Sequence, residues 1–269
     1  MEHVLWIGGA PGSGKTTIAT RLARRHGLRL YSADTRTWVH RDRALATGNA
    51  AARRWEAITP AERWELSTPA QMLEMSLHRE RGAMVIDDVG ALPQSPLVVA
   101  EGSPLSASMI SAGIAEPARA VWLLPTPQFQ RRHLDARGTN EGQARLYQLL
   151  REAIERDTSD HHAPTLVVDG SCGLTETVDA VEELLGDTIR TGPCAETRGE
   201  RQVLLREINE HIAAQVRGYY SRPWATGTAD SVRRSFVCEC GDLGCDADVV
   251  LSVREFSDGP ALARNHYAR

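Results

Sequence analysis

Eight residues near the start of the chain carry the clearest chemistry. Gly9-Ala10-Pro11-Gly12-Ser13-Gly14-Lys15-Thr16 fits the pattern G-x-x-x-x-G-K-[ST]. Glycines let successive backbone N–H groups converge on phosphate oxygens without Cβ interference. Lys15 is the single lysine of the chain, and a compact ammonium suits a β- or γ-phosphate. Thr16 offers a hydroxyl for Mg²⁺, and Thr17 follows it. The expectation is that Gly9 to Thr17 hold the phosphates of ATP, with Mg²⁺ on Thr16.

Further groups follow the apolar runs that read as strands. Asp34 comes just after the run Leu28 to Ser32. It can orient or deprotonate an acceptor hydroxyl, or cap the segment that starts at Thr35. Arg36, Arg41 and Arg43 come next, and one of them can clamp an anionic acceptor. Glu101 ends the run Leu97 to Ala100, where it can face the Mg²⁺ water shell or the acceptor. Asp87 and Asp88 are its rivals for the metal if Ala83 to Val89 is a strand. Arg131, Arg132 and Arg137 sit after the run Ala120 to Leu124, and one or two of them can stabilise charge during transfer. The assigned catalytic set is Lys15, Asp34, Arg132 and Arg137, and the substrate set is Asp34, Arg36 and Glu101.

Something rigid must position these groups. Short apolar runs at Val4–Ile7, Leu28–Ser32, Leu97–Glu101, Ala120–Leu124 and Thr165–Val168 alternate with helical patterns. That alternation implies an α/β fold with a parallel sheet in three layers. Ala83 to Leu92 reads as helix, because a strand so close to the next could pair only as an antiparallel hairpin. Ser103-Pro104 reads as a helix start, with Ser103 as the cap. A boundary near 187 separates a unit of residues 1–187 from an α+β extension, 188–269.

The phosphate loop, Asp34, Glu101-Gly102 and the arginine-bearing helix together resemble the nucleoside- and nucleotide-kinase-like P-loop family. That family includes adenylate, shikimate and gluconate kinases and the chloramphenicol phosphotransferase type. The resemblance covers about residues 1–186, and only the phosphate loop is specific. It implies a P-loop kinase fold and transfer of the ATP γ-phosphate to a small hydroxyl or phosphate acceptor: a nucleoside, nucleotide, sugar or antibiotic-like molecule. The segment between Arg137 and Arg145 is short for a large lid. The alternatives are an ATP-binding regulatory module and a kinase that modifies a macromolecule.

The extension has its own cluster, Cys238, Cys240 and Cys245, in the pattern C-x-C-x₄-C. It resembles a tail of actinobacterial type. Three thiolates with His266 as the fourth ligand would make a structural Zn²⁺ site; the other reading is a set of reduced thiols. A helical stripe over Arg201 to Tyr220 packs on this tail or on a second copy, so a homodimer is open. A net charge of −4 argues against a general nucleic-acid binder. The first residues lack a secretory pattern, and no apolar run reaches spanning length. The expected location is therefore the cytoplasm, with no membrane partner.

Overall fold

The computed structural model describes residues 1–259. β1 (Val4–Gly9) leads into α1 (Lys15–His26), and β2 (Arg29–Ser32) follows. A 3₁₀ turn at Ala33–Arg36 opens a helical stretch: α2 (Thr37–Ala46), α3 (Ala50–Ala57), a π turn at Glu62–Leu66, α4 (Pro69–Met75) and α5 (His78–Gly90). Then come β3 (Val98–Glu101), the single turn α6 (Ser108–Ser111) and β4 (Ala120–Pro125). The first unit ends with α7 (Pro127–Ala136), α8 (Glu141–Asp160), β5 (Thr165–Val168) and α9 (Leu174–Thr191). The last part is α10 (Arg198–Tyr220), β6 (Arg233–Val237), β7 (Asp248–Ser252) and α11 (Val253–Asp258).

Five strands form one parallel sheet in the order β2-β3-β1-β4-β5. The period of two along each strand divides its side chains between two cores. Leu5, Ile7, Val99, Val121 and Leu123 face one core, with Ile18 and Leu22 of α1 and Val181 and Leu185 of α9. Val4, Trp6, Val98, Ala100 and Trp122 face the other, with Val85 and Val89 of α5 and Ile154 of α8. Two covered faces explain why β1, β3 and β4 read as continuous apolar runs; at the edge, β5 leaves Val167 exposed. The chain leaves β1 on one side for β2 and β3 and on the other for β4 and β5. The crevice at the carboxyl end of β1 is thus the switch point where ligands bind in sheets of this kind.

Three expectations are refined. Ala83 to Gly90 is helical, within α5, which stops two residues short of Leu92. Ser103-Pro104 starts no helix; the chain turns there, and the Asp157 carboxylate takes the Ala107 N–H at 2.6 Å and the Ser106 hydroxyl at 3.0 Å. The boundary at 187 falls inside α9, which continues to Thr191. The last segment also joins the first core, because Leu205 and Ile208 of α10 and Val237 of β6 are buried in it.

Candidate functional site

The phosphate loop is built by crowding at its start. Gly9 has φ +123°, and a Cβ there would lie 2.2 Å from the Leu123 carbonyl oxygen of β4. Only glycine allows β1 to leave the sheet at this point. Gly14 caps α1 in the left-handed region, at φ 90°. The first turn of α1 has no acidic residue, so its positive dipole end is not offset. Lys15 is buried, and its Nζ donates to the Ala10 carbonyl at 3.1 Å, within its own loop. Ser13 Oγ is buried with no partner among the described residues.

Glu101 closes one wall. It is fully buried at the end of β3 and accepts from Thr16 Oγ1 at 3.1 Å and from Ser32 Oγ. Its second oxygen, Oε2, is buried with no partner among the described residues. Burial, with the nearby charge of Asp34, pushes its carboxyl up to about 7, against the pull of Lys15. A buried carboxylate held to the loop threonine with an oxygen to spare fits a Mg²⁺ water shell.

A cavity of about 630 Å³ opens beside the loop, lined by Gly12, Gly14, Lys15, Thr16 and Thr17 on one side. Asp34, Arg81, His78, Arg137 and Tyr147 line it as well. That volume suits a small molecule. Burial pushes the half-buried His78 imidazole down to about 4, helped by the charges of Arg81 and Lys15, so it is neutral at pH 7. Leu77, just before it, is buried and left-handed at φ 56°. Such conformations in a non-glycine residue gather at functional sites. Arg81 is buried, and its Nη2 holds the Ala33 carbonyl at 2.5 Å and Thr37 Oγ1 at 3.1 Å. It thereby fixes the turn that carries Asp34.

Of the groups singled out in the sequence, Lys15, Thr16, Asp34, Arg41 and Arg137 line one cavity, and Glu101 holds Thr16. Arg36 turns away; its guanidinium donates to His211 Nε2 of α10 at 2.8 Å. Arg132 lies outside this cavity and donates to the Asp169 carbonyl at 3.3 Å. Arg131 is paired with Asp135 and Glu141 on the exposed face of α7. Asp88 is no rival to Glu101, because Tyr31, His40 and Arg43 occupy it at 2.7, 3.1 and 2.5 Å. His78, Arg81, Arg63, Trp55 and Tyr147 were not legible as site residues. They belong to no local motif and meet only through packing.

The thiols of Cys238, Cys240 and Cys245 are buried, and their sulfurs lie within 4.8 Å of one another. Such a cluster could hold a metal ion. Burial pushes the Cys238 thiol up to about 12. The knuckle docks on α10 and α1: Arg198 Nε donates to the Cys240 carbonyl at 2.6 Å, and Arg24 Nη2 to the Ala247 carbonyl at 2.8 Å. His266 lies outside the described residues. Among the described residues, no helix is long and apolar enough to cross a membrane.

No protein-family model and no curated protein matches the chain. Among solved structures, TT1252 from Thermus thermophilus is similar at 20% identity, covering 68% of this chain and 96% of that one, with a TM-score of 0.40.

Proposed function

We propose that the chain is a P-loop phosphotransferase that moves the γ-phosphate of ATP to a small acceptor bearing a hydroxyl or phosphate. The observation that carries this reading is that the phosphate loop and Asp34 line the same cavity. A binding module needs the loop; it does not need a free carboxylate across from it.

The amides of Gly9 to Thr17 would hold the ATP phosphates, with Lys15 Nζ moving from the Ala10 carbonyl to a phosphate oxygen. Thr16 and Glu101 fit the Mg²⁺ site, where the ion supplies charge neutralisation on the phosphates. Asp34 orients the acceptor hydroxyl and takes its proton as the oxygen attacks the γ-phosphorus. The bond from that phosphorus to the bridging oxygen breaks, and ADP leaves. Arg137 neutralises charge on the transferred group. Neutral His78 donates or accepts one hydrogen bond without adding charge.

The test is ATP turnover with a panel of nucleosides, nucleotides, sugars and aminocyclitols. Acceptor-dependent ADP release is expected, and Lys15→Ala should remove it without altering the far-UV spectrum. ATP binding with no turnover on any acceptor would leave an ATP-binding regulatory module as the better reading. Transfer only to a protein or nucleic acid would instead indicate a macromolecule-modifying kinase.

A further inference from the structure

The cavity is lopsided in charge. Its lining has five fixed cations, Lys15, Arg41, Arg63, Arg81 and Arg137, and one carboxylate, Asp34. Lys15 and Arg137 are accounted for by the ATP phosphates, and Arg81 by the turn before Asp34. Arg41 and Arg63 lie in the other half, away from the loop's own chemistry, and nothing in the transfer step uses them.

Both are buried against an aromatic floor. Arg41 is 3% exposed and sits 4.3 Å from the Trp55 ring centroid. Arg63 is 2% exposed and sits 3.8 Å from the same ring and 4.7 Å from Trp224. Arg63 holds the Trp55 and Ile58 carbonyls through Nη2 at 2.6 and 3.1 Å. Arg41 has less. Its Nη2 donates to the Met75 carbonyl at 2.9 Å, but Nε and Nη1 have no partner among the described residues. A buried guanidinium with two idle nitrogens is costly unless an anion completes it. Among the described residues, no carboxylate is hydrogen-bonded or ion-paired to Arg41, although the charge of Glu56 acts on it from nearby. Asp42 takes Arg222 through both oxygens at 2.6 and 3.0 Å. Glu56 accepts from Trp224 Nε1 through Oε2 at 2.9 Å, and its buried Oε1 lies 3.5 Å from Arg222 with no hydrogen-bond partner among the described residues.

The wall of this half comes from the end of α10 and the turn after it. Tyr219 and Trp224 line it beside Trp38 and Trp55, and Trp224 lies 5.9 Å from Trp38, ring to ring. Arg222 ties that wall down through Asp42 on α2.

We propose that this half of the cavity is an acceptor subsite for a small molecule carrying a delocalised oxyanion, a carboxylate or a phosphate, which docks on Arg41 beside Trp55. The C-terminal segment completes the subsite with Tyr219 and Trp224. The acceptor's hydroxyl end then points toward Asp34. The word "acceptor" rests on the phosphotransferase reading; the anion subsite does not.

The experiment is a binding measurement without ATP. The full chain is used as Lys15→Ala, so that an anion on the phosphate loop contributes little. Gluconate is compared with sorbitol, and ribose 5-phosphate with ribose; each pair contrasts an oxyanion with its neutral counterpart. Four of the six tryptophans, Trp38, Trp55, Trp64 and Trp224, line the cavity, so intrinsic fluorescence reports binding and melting shifts check it. The charged member of at least one pair should bind at least about tenfold more tightly than the neutral one. The pair that responds distinguishes carboxylate from phosphate.

Arg41→Lys keeps the charge and loses the planar fork, so it should weaken that binding roughly tenfold. Trp224→Leu should do the same if the lysine variant fails to fold. Equal response to charged and neutral members, or no response to any, overturns the proposal. So does a response that Arg41→Lys and Trp224→Leu both leave unchanged. A failure of ATP turnover alone would leave this result standing, which separates the two readings.

Discussion

Thr16 Oγ1 donates to Glu101 Oε1 across 3.1 Å, joining the residue after the loop lysine to the end of β3. The bond spans 85 positions of sequence and is closed by the parallel pairing of β1 with β3, in which Ile7 sits opposite Glu101. The sheet register therefore fixes where a buried carboxylate meets the phosphate loop.

A first prediction concerns the metal. Glu101→Gln keeps the size and the acceptor for Thr16 but removes the charge. In the phosphotransferase reading, the Mg²⁺ concentration for half-maximal turnover should rise about tenfold or more, while ATP affinity changes less. A Mg²⁺ titration of initial rates checks it. An unchanged Mg²⁺ requirement would remove Glu101 from the metal site.

Arg131, Arg132 and Arg137 are all exposed, but of the three Arg137 lines the cavity. If it acts on the transferring group, Arg137→Ala should lower kcat by about a hundredfold or more and move the ATP binding constant less than threefold. Arg132→Ala, at a residue outside the cavity lining that donates to the Asp169 carbonyl, should change neither beyond about twofold. Steady-state kinetics beside calorimetric ATP titration would separate the two arginines. An equal loss in both variants would contradict the assignment.

The phosphate loop is legible because its chemistry is local: the glycines, the lysine and the threonine occupy consecutive positions. The strands are legible for a similar reason: burial on both faces makes β1, β3 and β4 short apolar runs between helical patterns, and the edge strand β5 is a short apolar run although Val167 is exposed. That Ala83 to Gly90 is helix follows from topology, as a hairpin has no place between crossovers. The failures are long-range. Ser103-Pro104 has the composition of a helix start, but Asp157 of α8 captures the following backbone and leaves one helical turn. Arg36 has the position of an acceptor clamp, yet α10 offers it His211 from 175 residues away. Arg41, Arg63 and Trp55 meet over one cavity through helix packing that no spacing rule encodes.

Acid should destabilise the protein through His40. Its side chain is fully buried, and burial holds the imidazole down at about 4, despite the Asp88 hydrogen bond that favours the proton and with Arg81 and Arg43 opposing it. In the unfolded chain the group returns to about 6.5. Between those values the unfolded state binds the extra proton, so stability is present above about pH 6.5 and is lost as pH falls toward 4. Wild type should lose about 2 kcal/mol more than His40→Gln between pH 7 and pH 4.5. Urea unfolding at the two pH values measures this, and parallel losses would exclude His40 as the cause.

The three buried thiols give the last prediction its sign. Cys238, Cys240 and Cys245 converge within 4.8 Å in a knuckle between β6 and β7, and the antiparallel pair is too small to bury a core of its own. A metal ion would supply what the pair lacks, binding thiolates that burial alone disfavours. The purified chain should then carry about one equivalent of zinc. Chelation, or Cys240→Ser, should lower the melting temperature while leaving the phosphate loop able to bind ATP, because the knuckle docks on α10 and on Arg24 of α1, beyond the loop itself. Less than about half an equivalent, or a melting curve that ignores chelation, would make the cluster a set of reduced thiols packed among Arg24, Arg198 and Asn209.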